Sequence, residues 1–193
     1  MKKHQSCSPY FRYEGKVYEI NARKGMPIFT HQLRKSIDQL TAMEGYHHRV
    51  LVVVFGLHLP SYSKGNEMIS KFLSWLRYWL VKEYKINRIG YVWCRERNKA
   101  NAQHYHFALM LDGSKLQYPS KLLNIAKENW HRLSAGGFLF IPDNCFYMLK
   151  RGNAIVRAAI IYRLSYYAKV NSKQTREGMT NDYGTSRLSR PPL

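Results

Sequence analysis

"AQHYHFALML", residues 102–111, sets the reading of the whole chain. Its second half is a continuous apolar run of strand length. Its first half places two histidines at i and i+2 around one aromatic residue. Side chains alternate along a strand, so His104 and His106 share one face, while Phe107, Leu109 and Leu111 share the other. One face therefore reads as core, turned towards helices, and the other as polar enough to host a site. A solvated strand that happens to carry histidine gives the same local pattern, so the flanking sequence has to decide.

The nearest upstream strand candidate is "RIGYVWCRE", residues 88–96, joined to the first by the turn-rich "RNKANA". If the two strands form a symmetric hairpin, position 96 lies opposite 104 and position 94 opposite 106. Directly opposed residues point to the same face with Cβ atoms about 4.5–5.5 Å apart. Glu96 then faces His104, and Cys94 faces His106. A slip of one residue would send Glu96 to the wrong side. In the symmetric register two neutral imidazoles and a carboxylate converge, a donor set suited to Mn²⁺ or Mg²⁺ with positions left open for water or phosphate oxygen.

Further out, "VLVVVFGLHL" at 50–59 is β-branched and continuous, and reads as a central strand. Residues 67–84 carry Ile69, Phe72, Leu73, Leu76 and Leu80, the stripe of a helix with one buried face. An earlier helix is marked by Phe29, Leu33, Ile37, Leu40 and Met43. Residues 119–133 read as a helix opened by Pro and Ser and ended by "SAGG", and a further strand lies within 137–149. Asn153 is placed to cap a last helix running to about residue 170. The order β-α-β-β-α-β followed by a helix predicts an α+β fold. Its expected form is the split-βαβ, ferredoxin-like antiparallel sheet, with helices on one face and a C-terminal tyrosine-bearing helix. The expected division is an N-terminal arm or small hairpin at 1–29, one domain at 30–170 and a basic tail at 171–193.

Composition narrows the partner. There are 31 Lys and Arg against 12 Asp and Glu, a net charge of +19. Such a field attracts polyanions, nucleic acid above all. No apolar run approaches the ~20 residues of a membrane span, and the start of the chain has no apolar signal core. Cys7, Cys94 and Cys145 form neither a disulfide framework nor a zinc-finger spacing. A cytoplasmic protein is expected. Within the tail, Lys173, Arg176, Arg187 and Arg190 are expected to track a DNA backbone.

"AIIYRLSYYAKV" in the last helix supplies a third element. At ~100° per residue, Tyr162, Tyr166 and Lys169 fall within a stripe of about 60°, with Tyr167 off it. Packing against a sheet is the common reason for such a stripe. Beside a metal site, however, a tyrosine hydroxyl can serve as nucleophile and a lysine can neutralise phenolate or phosphate charge.

In this combination the chain resembles the HUH endonucleases, in which two histidines bracket a hydrophobic residue. "HYH" at 104–106 looks like their metal motif, "YYAK" at 166–169 like their Tyr-x-x-Lys nucleophile motif, and "VLVVVFGLHL" is similar to their first, strand-forming motif. Glu96 resembles the acidic third ligand of replication initiators in the group, and Tyr162 with Tyr166 the paired tyrosines of phage-type initiators. The layout over roughly residues 30–190 looks closest to the inovirus-type replication proteins. Tyr105 departs from the usual aliphatic middle residue.

The resemblance implies a metal-dependent, site-specific single-strand DNA endonuclease and strand transferase that forms a 5′-phosphotyrosine and initiates rolling-circle replication in a host cell. Glu96, His104 and His106 would hold the metal. Tyr166 would attack, Lys169 would assist, and Tyr162 would be a second nucleophile or a packing residue. No Gly-x-x-x-x-Gly-Lys-Ser/Thr loop is present, so a host helicase and polymerase are the expected partners at the origin. Three alternatives remain open. One is a transposase or relaxase with the same chemistry. Another is a non-catalytic nucleic-acid-binding module whose sheet-face aromatics stack bases. The third is a two-histidine, one-carboxylate iron oxygenase, which the charge and the position of the acid disfavour.

Overall fold

The computed structural model describes residues 4–96, 102–170 and 181–192. The chain is α+β, with a mostly antiparallel sheet and four helices among the described residues. The N-terminal segment contains β1 (Gln5–Ser6), β2 (Tyr10–Tyr13), β3 (Lys16–Glu19) and β4 (Ile28–Phe29). Strands β2 and β3 form a hairpin over a two-residue turn. Its residues Glu14 and Gly15 have φ of 48° and 77°. The right-handed strand twist favours that mirror-image turn, and glycine supplies the second positive φ without strain.

Helix α1 (Thr30–Tyr46) buries Leu33, Ile37, Leu40 and Met43, as its spacing predicts. There follow β5 (Arg49–His58), α2 (Glu67–Tyr84), β6 (Gly90–Glu96), β7 (His104–Asp112) and α3 (Ser120–Leu133). The expected strand in 137–149 is divided into β8 (Phe138–Phe140) and β9 (Phe146–Lys150), both paired with β5. Helix α4 (Ala154–Tyr166) starts where Asn153 Oδ1 accepts the Val156 N–H at 3.1 Å, the capping bond expected of that residue. Strand β10 (Tyr183–Thr185) completes the sheet order β10-β6-β7-β5-β8, with β9 beside β8 on the same side of β5.

Helices cover both faces of the sheet, not one. Leu51, Val53, Phe55 and Leu57 of β5 and Phe107, Leu109 and Leu111 of β7 pack with Phe72, Leu76 and Leu80 of α2 and with Leu122, Leu123 and Trp130 of α3. Val50, Val52 and Val54 of β5 and Ala108 and Met110 of β7 pack with α1 and with Ile160, Ile161 and Leu164 of α4. The expectation of one polar sheet face is therefore corrected. The histidine-bearing face is also core over half its length and opens only at the end carrying His104 and His106. Trp130 pins that end, its Nε1 donating to the His58 carbonyl at 2.9 Å. Burial of an indole of ~150–250 Å² stabilises by about 4–6 kcal/mol.

Part of the expected basic tail belongs to the domain. β10 pairs with β6 in the register Tyr183↔Cys94 and Thr185↔Val92, covering an edge that would otherwise present unpaired backbone groups. Gly184 is required there, because a Cβ would lie 2.6 Å from the Trp93 indole. Ser186 Oγ then donates to Gln39 Oε1 at 2.6 Å. Among the described residues no helix is long and apolar enough to cross a membrane.

Candidate active site

The register of β6 and β7 pairs Glu96 with His104 and Cys94 with His106, the symmetric hairpin on which convergence depends. His106 Nε2 lies 3.1 Å and His104 Nε2 3.6 Å from Glu96 Oε2, and the two Nε2 atoms are 3.3 Å apart. Ligands held 2.0–2.2 Å from a shared ion at roughly right angles stand about 3.0 Å apart. The three spacings are close to that value, and all three donor atoms lie within 4.8 Å of one another. The Glu96 side chain is 2% exposed, against 16% and 25% for His104 and His106. A carboxylate removed from water to this degree needs a cation or protonated neighbours. The triad can hold a metal ion.

Two further groups frame the triad, and neither was legible in the sequence. His58, at the end of β5, pairs directly with His104, and their rings stack at 5.0 Å and 8°. Burial, reinforced by the two neighbouring imidazoles, lowers the His58 pKa to about 4, so its ring is neutral at physiological pH. Tyr167 is the second. Its ring lies over His106 at 5.7 Å and 22°, and its hydroxyl donates to the Phe107 carbonyl at 3.2 Å. Burial pushes this phenol far up, so Tyr167 acts as a neutral wall that orients the His106 ring.

Tyr166 approaches from the end of α4. Its ring meets the His106 ring edge-on at 5.0 Å. Its pKa is raised, first by burial and then by the neighbouring Glu96 carboxylate. Lys169 Nζ lies 4.3 Å from the centre of the Tyr166 ring, a cation–π contact. Burial and the charge of Arg23 lower the Lys169 pKa, while Glu96 opposes them.

The helix ends at Tyr166, so Lys169 does not lie on the helical stripe that the spacing implied. Tight i→i+3 bonds from Tyr167, Ala168 and Lys169 continue the chain, and Lys169 forms a β-bridge with Ile28. The lysine still reaches Tyr166, but through this turn. Tyr162 stands one helical turn earlier and is 43% exposed; no described contact joins it to the triad.

The four expected DNA-contacting residues divide. Lys173 and Arg176 lie outside the described residues. Arg187 is exposed. Arg190 is engaged by the N-terminal hairpin, donating to the Tyr13 hydroxyl at 2.9 Å and pairing with Glu14.

Behind the triad, on the opposite sheet face, Arg95 is fully buried. Its guanidinium donates to the carbonyls of Ser63, Lys64 and Gly65 and to Asn66 Oδ1. Gln103 Nε2 also holds Ser63 Oγ at 2.7 Å, and the Tyr105 hydroxyl reaches Asn66 Oδ1 at 3.1 Å. The residues next to Glu96 and His104 thus tie both strands to the loop before α2 and fix the ends that carry the ligands.

No curated protein and no solved structure matches this chain. The model of the YagK/YfjJ C-terminal domain matches residues 13–186, from the end of β2 to just beyond β10. On that span, the chain belongs to the YagK/YfjJ C-terminal domain family.

Proposed function

We propose that this protein is a metal-dependent single-strand DNA nicking and joining enzyme of the HUH type, using Tyr166 as nucleophile. The observation that carries the reading is the convergence of Tyr166, with Lys169 against its ring, on His106 of a Glu-His-His triad spaced to hold a metal ion. The strand order β6-β7-β5-β8 supports a split-βαβ core, with α2 and α3 on one face and the site at the open end of the other.

Glu96, His104 and His106 would hold Mn²⁺ or Mg²⁺. A bound divalent ion supplies polarisation of a phosphate oxygen. The Tyr166 oxygen then forms a bond to phosphorus as the bond to the 3′-oxygen breaks. The phenolic proton is lost, and the departing oxygen gains one to become a 3′-hydroxyl. Phosphodiester energy is retained in the phosphotyrosine, so the reverse attack rejoins a strand without a nucleotide cofactor. Burial and Glu96 raise the Tyr166 pKa, and the Lys169 charge offsets part of that cost as the phenolate develops. Tyr167 is too buried to compete.

Initiation of rolling-circle replication of the inovirus type, in the cytoplasm of a host cell whose helicase and polymerase extend the 3′-hydroxyl, is the setting this chemistry suits. A net charge of +19 supports the nucleic-acid substrate. The test is incubation of the purified protein with a fluorescent single-stranded oligonucleotide and Mn²⁺, followed by a denaturing gel. A shortened labelled strand together with a protein-linked product is expected. Binding without any metal-dependent cleavage across an oligonucleotide library would leave a non-catalytic binding module.

A further inference from the structure

Two rows of directly paired residues cross the open half of the sheet. One runs Glu96, His104, His58, Phe138; the other runs Cys94, His106, Gly56, Phe140. The first row ends in a ring stack, because the His58 ring lies 5.0 Å from His104 and 4.3 Å from Phe138, each pair within 8° of parallel. In the second row Gly56 leaves no side chain between His106 and Phe140. Phe138 and Phe140 are 54% and 53% exposed, whereas Leu139 between them is 5% exposed. The strand period therefore turns both phenyl rings onto the face that carries the triad.

Apart from the stack of Phe138 on His58, no described ring contact covers these two phenylalanines, which stand half-exposed beside the triad. A contiguous exposed apolar surface at the rim of a site marks a contact. The net charge of +19 selects a polyanion as occupant, and the polyanion that carries flat aromatic groups is single-stranded nucleic acid.

Building on the nicking reading above, we propose that Phe138 and Phe140 form a base-stacking subsite that holds an unpaired nucleobase next to the phosphate at the triad. Two strand spacings of about 4.8 Å separate each phenylalanine from its histidine, so the subsite lies about 10 Å from the triad. That is close enough for a nucleobase near the phosphate in the same strand. Stacking on a bare ring face tolerates any base, so the subsite fixes the position of the strand more than its sequence.

The test uses the full chain, a fluorescent oligothymidylate and an abasic deoxyribose-phosphate oligomer of equal length, with affinities read by anisotropy. F138L/F140L keeps apolar bulk on β8 and removes the ring faces; F138W/F140W restores them. The leucine pair is expected to weaken oligothymidylate binding by about 5- to 150-fold per stacked base. It should leave binding of the abasic oligomer unchanged, and the tryptophan pair should recover the loss. Equal loss on both probes, or no loss on either, overturns the subsite. So does concentration-dependent self-association that vanishes in the leucine pair while both probes still bind, because that assigns the face to a second copy of the chain. The two readings fail separately. A wild-type protein that discriminates the probes but never forms a covalent adduct keeps the subsite and loses the nuclease.

Discussion

Replacing Glu96 by glutamine separates the two things the triad could be. The carboxylate is 2% exposed and lies 3.1 Å and 3.6 Å from two imidazole nitrogens. Without a metal, its negative charge is desolvated with little return, and an isosteric neutral amide should cost nothing or stabilise slightly. With a metal the sign reverses. A ligand that binds only the folded state at a hundred times its Kd stabilises by about 2.7 kcal/mol. For a domain of 193 residues, each kcal/mol moves the Tm by about 2–4 °C, so saturating Mn²⁺ should raise the wild-type Tm by roughly 5–11 °C. Glu96→Gln should melt at or above the wild-type temperature in a chelator and lose most of the Mn²⁺-induced rise. The assay is thermal unfolding followed by circular dichroism at one fixed pH of about 7.5, because metal binding is pH-dependent. A wild-type Tm indifferent to Mn²⁺, together with a large drop in the chelated variant, would refute the metal site and leave a structural hydrogen-bond cluster.

Other perturbations reach different parts of the account. Arg95→Met removes the guanidinium shared by the carbonyls of Ser63, Lys64 and Gly65 and should cost about 2–4 kcal/mol in urea unfolding, with hydrogen exchange rising in residues 61–66. Arg187 is exposed and Arg190 is held by Tyr13 and Glu14. Arg187→Gln should therefore flatten log affinity against log salt on single strands by about 0.7, while Arg190→Gln should leave the slope unchanged; equal slopes for the two variants would deny the distinction. His47 lies 3.4 Å from Asp112, yet burial is the dominant influence and lowers its pKa. A group with a depressed folded pKa stabilises fully above its unfolded pKa, near 6.5, and loses that contribution as pH falls below it. His47→Gln should reduce the loss of stability between neutral and acid pH, and an unaltered pH slope would count against the buried neutral histidine.

The strands, the helices and the histidine–glutamate register could be read from the sequence because each rests on local periodicity. "RIGYVWCRE" and "QHYHFALML" are joined by a short connector, so their pairing has few alternatives. The covering of both sheet faces was also signalled. A run such as "VLVVVFGL" does not alternate, and continuous apolar strands are buried on both sides. His58 was hidden by that same run, because its parity with Val54 and Gly56 acquires meaning only when β5 is set against β7. Tyr167 was set aside by helical geometry, since one residue past Tyr166 rotates it off the stripe. The helix ends there, and the turn lays its ring on His106. β10 is a three-residue strand in a polar, glycine-containing segment, and its pairing with β6 spans some ninety residues that no local pattern reports.

The most direct test of the account is the identity of the residue that carries DNA after the reaction. Wild-type protein is reacted with a cleavable single-stranded oligonucleotide and Mn²⁺, digested, and the nucleotide-bearing peptide is sequenced by mass spectrometry, with Tyr166→Phe and Tyr162→Phe treated in parallel. The modification should lie on Tyr166, vanish in Tyr166→Phe, and persist after the first nick in Tyr162→Phe, because among the described tyrosines Tyr166 lies against both His106 and Lys169, while the Tyr167 hydroxyl is buried on the Phe107 carbonyl. DNA found on Tyr162 or Tyr167, or an undiminished adduct in Tyr166→Phe, would contradict the assignment of the site.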